Sequence, residues 1–406
     1  MKILQINAVY GIGSTGRTTA EIDEALRKSN IESIVATTQT SMQKENVYIV
    51  GSKIGRKIHA LLSRLTGKQG YSSWFATKHL LRWIKKEKPD VIHLRNLHAN
   101  YLHLSTLFRY IKKHDIATVI TLHDCWIFTG KCTHYTEQGC YKWQNGCHHC
   151  PKLKKDNNSW FFDRTKKMWK DKKKWLQAIP RLAVIGVSDW ITQEGKKSFL
   201  KDATLIKRVY NWIDLEIFYP REENVLQKYN LPKDKFLILC ISAGWTKDSE
   251  KYQDLIELSK GLGDNARIVI AGGLSADITL PDNIISIGYI SSTEELAKLY
   301  STMDVYVHLS REDTFGKVIA EALACGTPAI VYNATACPEL IGENCGYVVD
   351  KGDVQGVLKA IDKIRQDGKS VYSPYCREFT KKNFEKDTLI EEMKEVYFQL
   401  VEGQKR

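Results

Sequence analysis

Short apolar runs recur along this chain, and each pair is separated by enough residues for a helix. In the first half they read "MKILQINAV", "SIVATT", "VYIVG", "DVIHL", "ATVITLH" and "RLAVIGVS". They are rich in Val and Ile and do not alternate with polar residues, as expected of strands covered by helices on both faces. Between them lie segments with apolar residues at helical spacing, such as Thr18–Ser29 and Trp74–Lys88. The second half repeats the scheme with "FLILCISAG", "ARIVIAGG", "IISIGY", "VYVHLS", "PAIVYN" and "GYVV", and with helical patterns at Ser249–Lys260, Thr293–Tyr300 and Lys317–Ala324. The pattern predicts an α/β protein of two doubly wound, Rossmann-like domains. A length of 406 residues agrees, being more than one core usually holds. Periodicity lapses around Pro220–Lys233, which sets the domains at 1–220 and 221–375, with a closing helix over about Ser373–Val401.

Ligands of such sheets collect outside the carboxyl ends of the strands. The strand "VYVHLS" ends at Ser310 and a helix starts near Lys317, so "REDTFG" occupies that position. Backbone N–H groups at a helix start are unpaired and partially positive, and they suit phosphate or sugar hydroxyls. Gly316 allows close approach of a ligand. Asp313 and Glu321 are about two helical turns apart, which puts both on one side. Carboxylates accept well from vicinal hydroxyls. The plainer alternative is a helix whose start is stabilised by acids. In "YGIGSTGR", Gly11, Gly13 and Gly16 follow the first strand, with Arg17 beside them. Their G-x-G-x-x-G spacing is a weak dinucleotide signal here, because "SIVATTQT" supplies no acid at the end of the next strand. His123 ends the strand "TVITLH".

The segment Asp313-Thr-Phe-Gly-Lys-Val-Ile-Ala-Glu321, followed by "ALACGTPAIV", resembles the acid–seven residues–acid signature of the retaining GT-B glycosyltransferases of family four, the group 1 glycosyltransferases. The resemblance implies the GT-B architecture, with two Rossmann-like domains facing across a cleft and residues 376–406 packing back on the first. It implies transfer of a hexose, with retention, from a UDP- or GDP-linked sugar to a saccharide or polyprenyl-diphosphate-linked acceptor. Capsule, exopolysaccharide and O-antigen assembly are the settings it suggests. Catalysis would need no cofactor. By the same resemblance, catalytic roles fall to His123, Asp313 and Glu321. His123 contacts the transferring sugar and Glu321 the nucleotide ribose. The first motif acid is usually Glu; here Asp313 stands there with Glu312 beside it, and either holds the donor sugar. Thr314, Phe315, Gly316 and Lys317 complete the donor turn. Lys251 matches the lysine that holds the diphosphate, and Lys247 is the nearest substitute for an absent arginine. Gly13 and Arg17 lie against the donor phosphates. An epimerase of the same architecture and a basic nucleic-acid-binding protein are competing readings. The second leaves the acidic motif idle, so nucleic acid is not expected as a partner.

"MKILQINAVY" lacks the apolar core of a signal peptide, and no run of eighteen apolar residues could span a bilayer. Ten cysteines in such a chain suggest a reducing compartment. Cys132, Cys140, Cys147 and Cys150 fall in an insertion over about 130–152, separated by seven, six and two residues. "CHHCP" has the spacing of a metal knuckle, so the expectation is a structural zinc on the four cysteines, with free or redox-labile thiols as the alternative. The net charge is +13, with ten basic residues against one acid between Lys53 and Lys88. A second basic run, "KLKKDNNSWFFDRTKKMWKDKKKW", is interleaved with aromatics. Such runs suit an anionic membrane surface, nucleic acid, or helices that bury their apolar stripe. Joined to the resemblance, they predict a cytoplasmic protein, peripheral on the inner face of the plasma membrane.

Overall fold

The strands form where the apolar runs lie. The computed structural model describes residues 1–42 and 44–402; residues 403–406 of the expected closing segment lie outside the described residues. The first unit carries β1 (Lys2–Ile6), β2 (Glu32–Thr37), β3 (Val47–Ile49), β4 (Val91–Leu94), β5 (Ala117–Leu122), β6 (Leu182–Gly186) and β7 (Leu205–Arg208). All pair in parallel, in the order β3-β2-β1-β4-β5-β6-β7. The second unit carries β8 (Phe236–Trp245), β9 (Ala266–Leu274), β10 (Ile284–Ser286), β11 (Val305–His308), β12 (Ala329–Tyr332) and β13 (Gly346–Val349), in the order β10-β9-β8-β11-β12-β13. Each sheet therefore starts at its centre, winds outward to one side and then reverses to the other. That reversal opens a crevice at the carboxyl ends of the central strands. Strands β4, β5, β6, β11 and β12 are buried at every position, which is why they read as unbroken apolar runs.

The structure differs from the sequence expectation in several places, each for a physical reason. The first helix spans Gly13–Lys28 and so starts before Thr18. The buried Asn7 amide donates to the carbonyls of Val9 and Thr15 and to Thr19 Oγ1, folding the chain straight from β1 into that helix. Strand β7 went unforeseen because it is a half-buried edge strand carrying Lys207 and Arg208. The closing segment is two helices, Lys369–Phe384 and Lys386–Glu402. Glu385 between them is extended, pairs with Ile213, and accepts from the Thr388 N–H at 2.7 Å, capping the second helix.

The chain divides into Met1–Val209, joined by the segment from Ile390 onward, and Tyr210–Leu389. The division falls before Pro220 because Tyr210 packs on Phe315 and Phe384, with ring centroids 5.9 and 5.2 Å apart. In the first unit the last helix is held by buried polar contacts. Tyr397 Oη meets His93 Nδ1 at 2.7 Å, and Lys394 Nζ donates to Ser29 Oγ at 2.7 Å. Burial, then the neighbouring Arg95, pushes the His93 imidazole well below its usual range, so it stays neutral.

Gly346 opens β13 at φ +140°, and a Cβ there would meet the Ala329 carbonyl oxygen at 1.8 Å. Both the dihedral and the contact oppose any side chain. Gly346→Ala is expected to cost about 3 kcal/mol, lowering the thermal midpoint of the second unit by roughly 6–12 °C. A midpoint unchanged to within about 1 °C would contradict this packing.

Candidate functional site

At the carboxyl end of β8, Ser242, Ala243 and Trp245 form one wall of a cavity of about 270 Å³. Glu312 and Asp313, from the turn after β11, form the other. Lys251 reaches this cavity from the helix Glu250–Gly261, and its Nζ donates to Ser242 Oγ. The turn is tied down from several sides. The Asp313 N–H donates to Thr335 Oγ1 at 2.9 Å, and Arg311 grips both carboxylate oxygens of Asp254 at 2.8 and 2.9 Å. Glu250 accepts from the same guanidinium at 2.6 Å. Gly316 has φ +85°, a left-handed conformation that caps the helix Lys317–Ala324 and turns its amino end toward the loop.

A relay of buried side chains orients Asp313. Burial drives the Tyr306 phenol far above its usual range, so it keeps its proton. Its Oη lies 2.9 Å from His308 Nδ1, and His308 Nε2 lies 2.8 Å from Asp313 Oδ2. With the phenol donating, Nδ1 accepts, Nε2 carries the hydrogen and donates it to the carboxylate. Cys337 adds a sulfur within 4.8 Å of the His308 and Asp313 donor atoms. Burial and then Asp313 raise its thiol well above the usual range. Both ring nitrogens of His308 are engaged, so a cation held by these three would displace one of the relay's bonds.

The cavity gathers Lys251, Glu312 and Asp313. Lys247 is exposed and is not among its lining residues, and Thr314 and Lys317 flank it without lining it. The Phe315 ring packs against Tyr210 and Phe384, which leaves the backbone of 315–316 to meet a ligand. Asp313 lies ahead of the helix, so helical spacing does not relate it to Glu321. Glu321 is 4% exposed, lies 3.4 Å from Tyr300 Oη, and does not line the cavity. Sequence reasoning missed Ser242, Trp245, Tyr306 and His308. The one available signal was a histidine at the end of an otherwise apolar strand.

In the first unit, Gly13, Arg17 and His123 collect at the carboxyl edge of the sheet. Gly13 begins its helix at φ +64°, with open space where a Cβ would point. Thr15, two residues along, accepts from Asn96 Nδ2 at 2.9 Å, which ties the helix start to the end of β4. His123 follows β5 and lines a small cavity with Asn96, His98 and Asp124.

A second surface of this unit inverts ordinary amphipathicity. The helix Lys53–Thr66 buries His59 and Ser63 and exposes Ile54, Ile58, Leu61 and Leu62, with Ile54 at 71%. Its inward polar groups are paired in part: His59 Nδ1 meets Ser73 Oγ at 2.8 Å and Ser63 donates to Asn100 Oδ1 at 3.1 Å, while the buried His59 Nε2 has no hydrogen-bond partner among the described residues. Burial lowers His59 to about 4, so it docks neutral. Trp74 and Phe75 are exposed beside the same cavity of about 450 Å³ that Ile58 and Leu62 line. The Trp160 N–H donates to Arg64 O at 2.8 Å, bringing the exposed Trp160, Phe161 and Phe162 to the end of this helix. No helix among the described residues is long and apolar enough to cross a membrane.

Comparisons with known proteins agree with both units. The family model "Glycosyl transferases group 1" matches residues 221–385, and "Glycosyltransferase Family 4" matches residues 15–217. A protein of Escherichia coli (strain K12) named for colanic acid biosynthesis glycosyl transfer, WcaC, is 26% identical over 275 residues, 66% of this chain and 65% of that relative. The match thus spans just under two thirds of the relative's length. Among solved structures, sucrose-phosphate synthase from Thermosynechococcus elongatus superposes with a TM-score of 0.74 at 18% identity, over 99% of both chains. HepE of Anabaena, in complex with UDP and glucose, superposes with a TM-score of 0.67 at 14% identity, over 98% of this chain and 100% of its own. The fold of both units is thus that of the GT-B proteins, and with its two halves matched by these family models the chain belongs to the group 1 glycosyltransferases.

Proposed function

We propose that this chain transfers a hexose, with retention, from a UDP- or GDP-linked sugar to a saccharide acceptor carried on a polyprenyl diphosphate, in the assembly of a bacterial surface polysaccharide. The observation that carries the reading is the cavity at the end of β8 and β11, where Lys251, Glu312 and the oriented Asp313 meet beside the start of a helix. HepE, of the same fold, is known with UDP and with UDP-glucose bound. Relatives named for colanic acid, capsular polysaccharide and O-antigen support the setting.

The chemistry follows from charge. Leaving diphosphate gains negative charge as the glycosidic bond breaks, and fixed donors stabilise that change best. Lys251 and the backbone N–H groups from Gly316 onward supply them. Asp313 accepts from donor-sugar hydroxyls while His308 holds its other face, which makes His308 a positioning residue. Attack comes from the side of the leaving group, and a phosphate oxygen takes the acceptor proton. Glu321 is assigned to the ribose and reaches it by turning away from Tyr300. Gly13, Arg17 and His123 keep the roles that the family resemblance gives them.

The exposed apolar face beside Lys53, Lys57 and Arg64 supports an acceptor met at an anionic membrane surface, with apolar side chains at headgroup depth and cations at the phosphates.

Two experiments test the reading. A thermal-shift panel of UDP- and GDP-sugars identifies the donor, and stabilisation by none of them contradicts the assignment. With that donor, His308→Leu is expected to lower kcat/KM by about 10- to 100-fold, the worth of a hydrogen bond to a charged group. His308→Gln, which can still donate, recovers most of it, and nucleotide alone binds both variants as it binds the parent. Loss of nucleotide binding with activity would mean that His308 merely supports the fold.

Vesicle flotation tests the membrane surface. Each basic residue near an anionic surface contributes about 1 kcal/mol, and salt screens it. Binding to anionic vesicles at low salt is expected, weakening as salt rises and lost in the Lys53→Glu, Lys57→Glu, Arg64→Glu triple variant. Equal flotation with neutral vesicles, or none with either, contradicts the membrane surface.

A further inference from the structure

The cysteine insertion carries a feature that sugar transfer does not explain. Two lysines lie almost wholly buried beside it, Lys131 and Lys172, each 2% exposed. Neither makes an ion pair with a carboxylate among the described residues. Lys131 Nζ donates to the carbonyls of Lys152 and Leu153 at 3.1 and 2.6 Å. Lys172 Nζ donates to the Trp126 carbonyl and sits 3.7 Å above the Trp126 ring. A buried ammonium without an anion costs several kcal/mol. The groups around them able to carry negative charge include cysteine thiols as well as carboxylates. Cys147, then Asp124, then Cys132 act on Lys172. Cys150 and Cys132 act on Lys131, with Asp156 and Asp163 near.

The sulfurs are already partly assembled. Cys132 and Cys150 share a hydrogen bond. The Gly130 N–H donates to Cys147 Sγ at 3.1 Å, and the Lys152 N–H to Cys150 Sγ. Backbone N–H groups aimed at sulfur are donors for thiolates. Cys140 lies next in reach of Cys147. No three of these sulfurs meet within 4.8 Å, so a metal would draw them inward. The loops that carry them can yield: between Leu122 and Thr165 the regular structure is one short turn of helix, Lys142–Gln144.

We propose that Cys132, Cys140, Cys147 and Cys150 bind one structural zinc ion as four thiolates, with Lys131 and Lys172 as its buried counter-charges. Four thiolates around a divalent ion leave a net charge of about −2, which the two ammonium groups balance. The four thiol protons leave to solvent. A closed four-cysteine shell has no open position, so the ion staples the insertion and takes no part in transfer.

The test uses the full chain, purified under reducing conditions without chelator. About one zinc per chain is expected by elemental analysis. Cobalt(II) in place of zinc should give the thiolate-to-metal charge-transfer absorption of a tetrahedral thiolate site. The Cys147→Ser, Cys150→Ser pair should lose both signals, and His148→Ala with His149→Ala should keep both. Because the cysteine variant could unfold, chelation of the parent provides an independent reading: its thermal midpoint falls and returns when zinc is restored. A parent without zinc that gives no cobalt–thiolate absorption overturns the proposal. So does metal retained by the cysteine variant or lost by the histidine one.

Discussion

A protonated phenol in the core of the second unit decides how its outer edge meets a ligand. Tyr306 is fully buried, keeps its hydrogen and meets His308 Nδ1, which leaves Nε2 facing outward. That nitrogen holds Asp313, and Asp313 is the carboxylate that the surrounding turn presents. The turn depends in its own way on buried charge, since Arg311 is clamped by Asp254 and Glu250, and Tyr332 Oη adds a contact to Asp254 at 2.9 Å. A loop of Ser, Arg, Glu, Asp and Thr would otherwise sample many conformations. Here its cation and one of its acids are tied to side chains of one helix, of β11 and of Thr335, which preorganises the remainder for binding.

Fully buried parallel strands announce themselves, because burial on both faces demands unbroken apolar runs, and "DVIHL" and "ATVITLH" became β4 and β5 almost residue for residue. The helix Lys317–Ala324 came out at its expected bounds. What stayed hidden depended on partners far apart in the chain. Glu385 breaks the closing helix by pairing with Ile213, and no Gly or Pro marks the place. The acid–seven residues–acid spacing was legible, but its geometry was not: Asp313 stands in a turn and Glu321 in the core, so counting helical turns between them misplaced one. His308 drew no notice in the sequence, because its role exists only once Tyr306 and Asp313 are folded around it.

The first unit shows the converse. Its amphipathic helix was legible as a stripe, yet which face is buried cannot be read from a stripe. The structure turns His59 and Ser63 inward and leaves four large aliphatic side chains outside. An exposed apolar surface rimmed by cations has a use only where both are satisfied at once. The same unit keeps two lysines buried beside cysteines, again a cost in isolation that a bound partner would offset.

The central claim is that the edge around β8 and β11 holds the nucleotide sugar. Hydrogen exchange read by mass spectrometry, with and without the donor at saturating concentration, tests it most directly, because it locates binding without requiring turnover. The account predicts slowed exchange in segments 241–252 and 308–320, and loss of that protection over 308–320 in Asp313→Ala. Protection absent from both segments, while the donor is demonstrably bound, would contradict it.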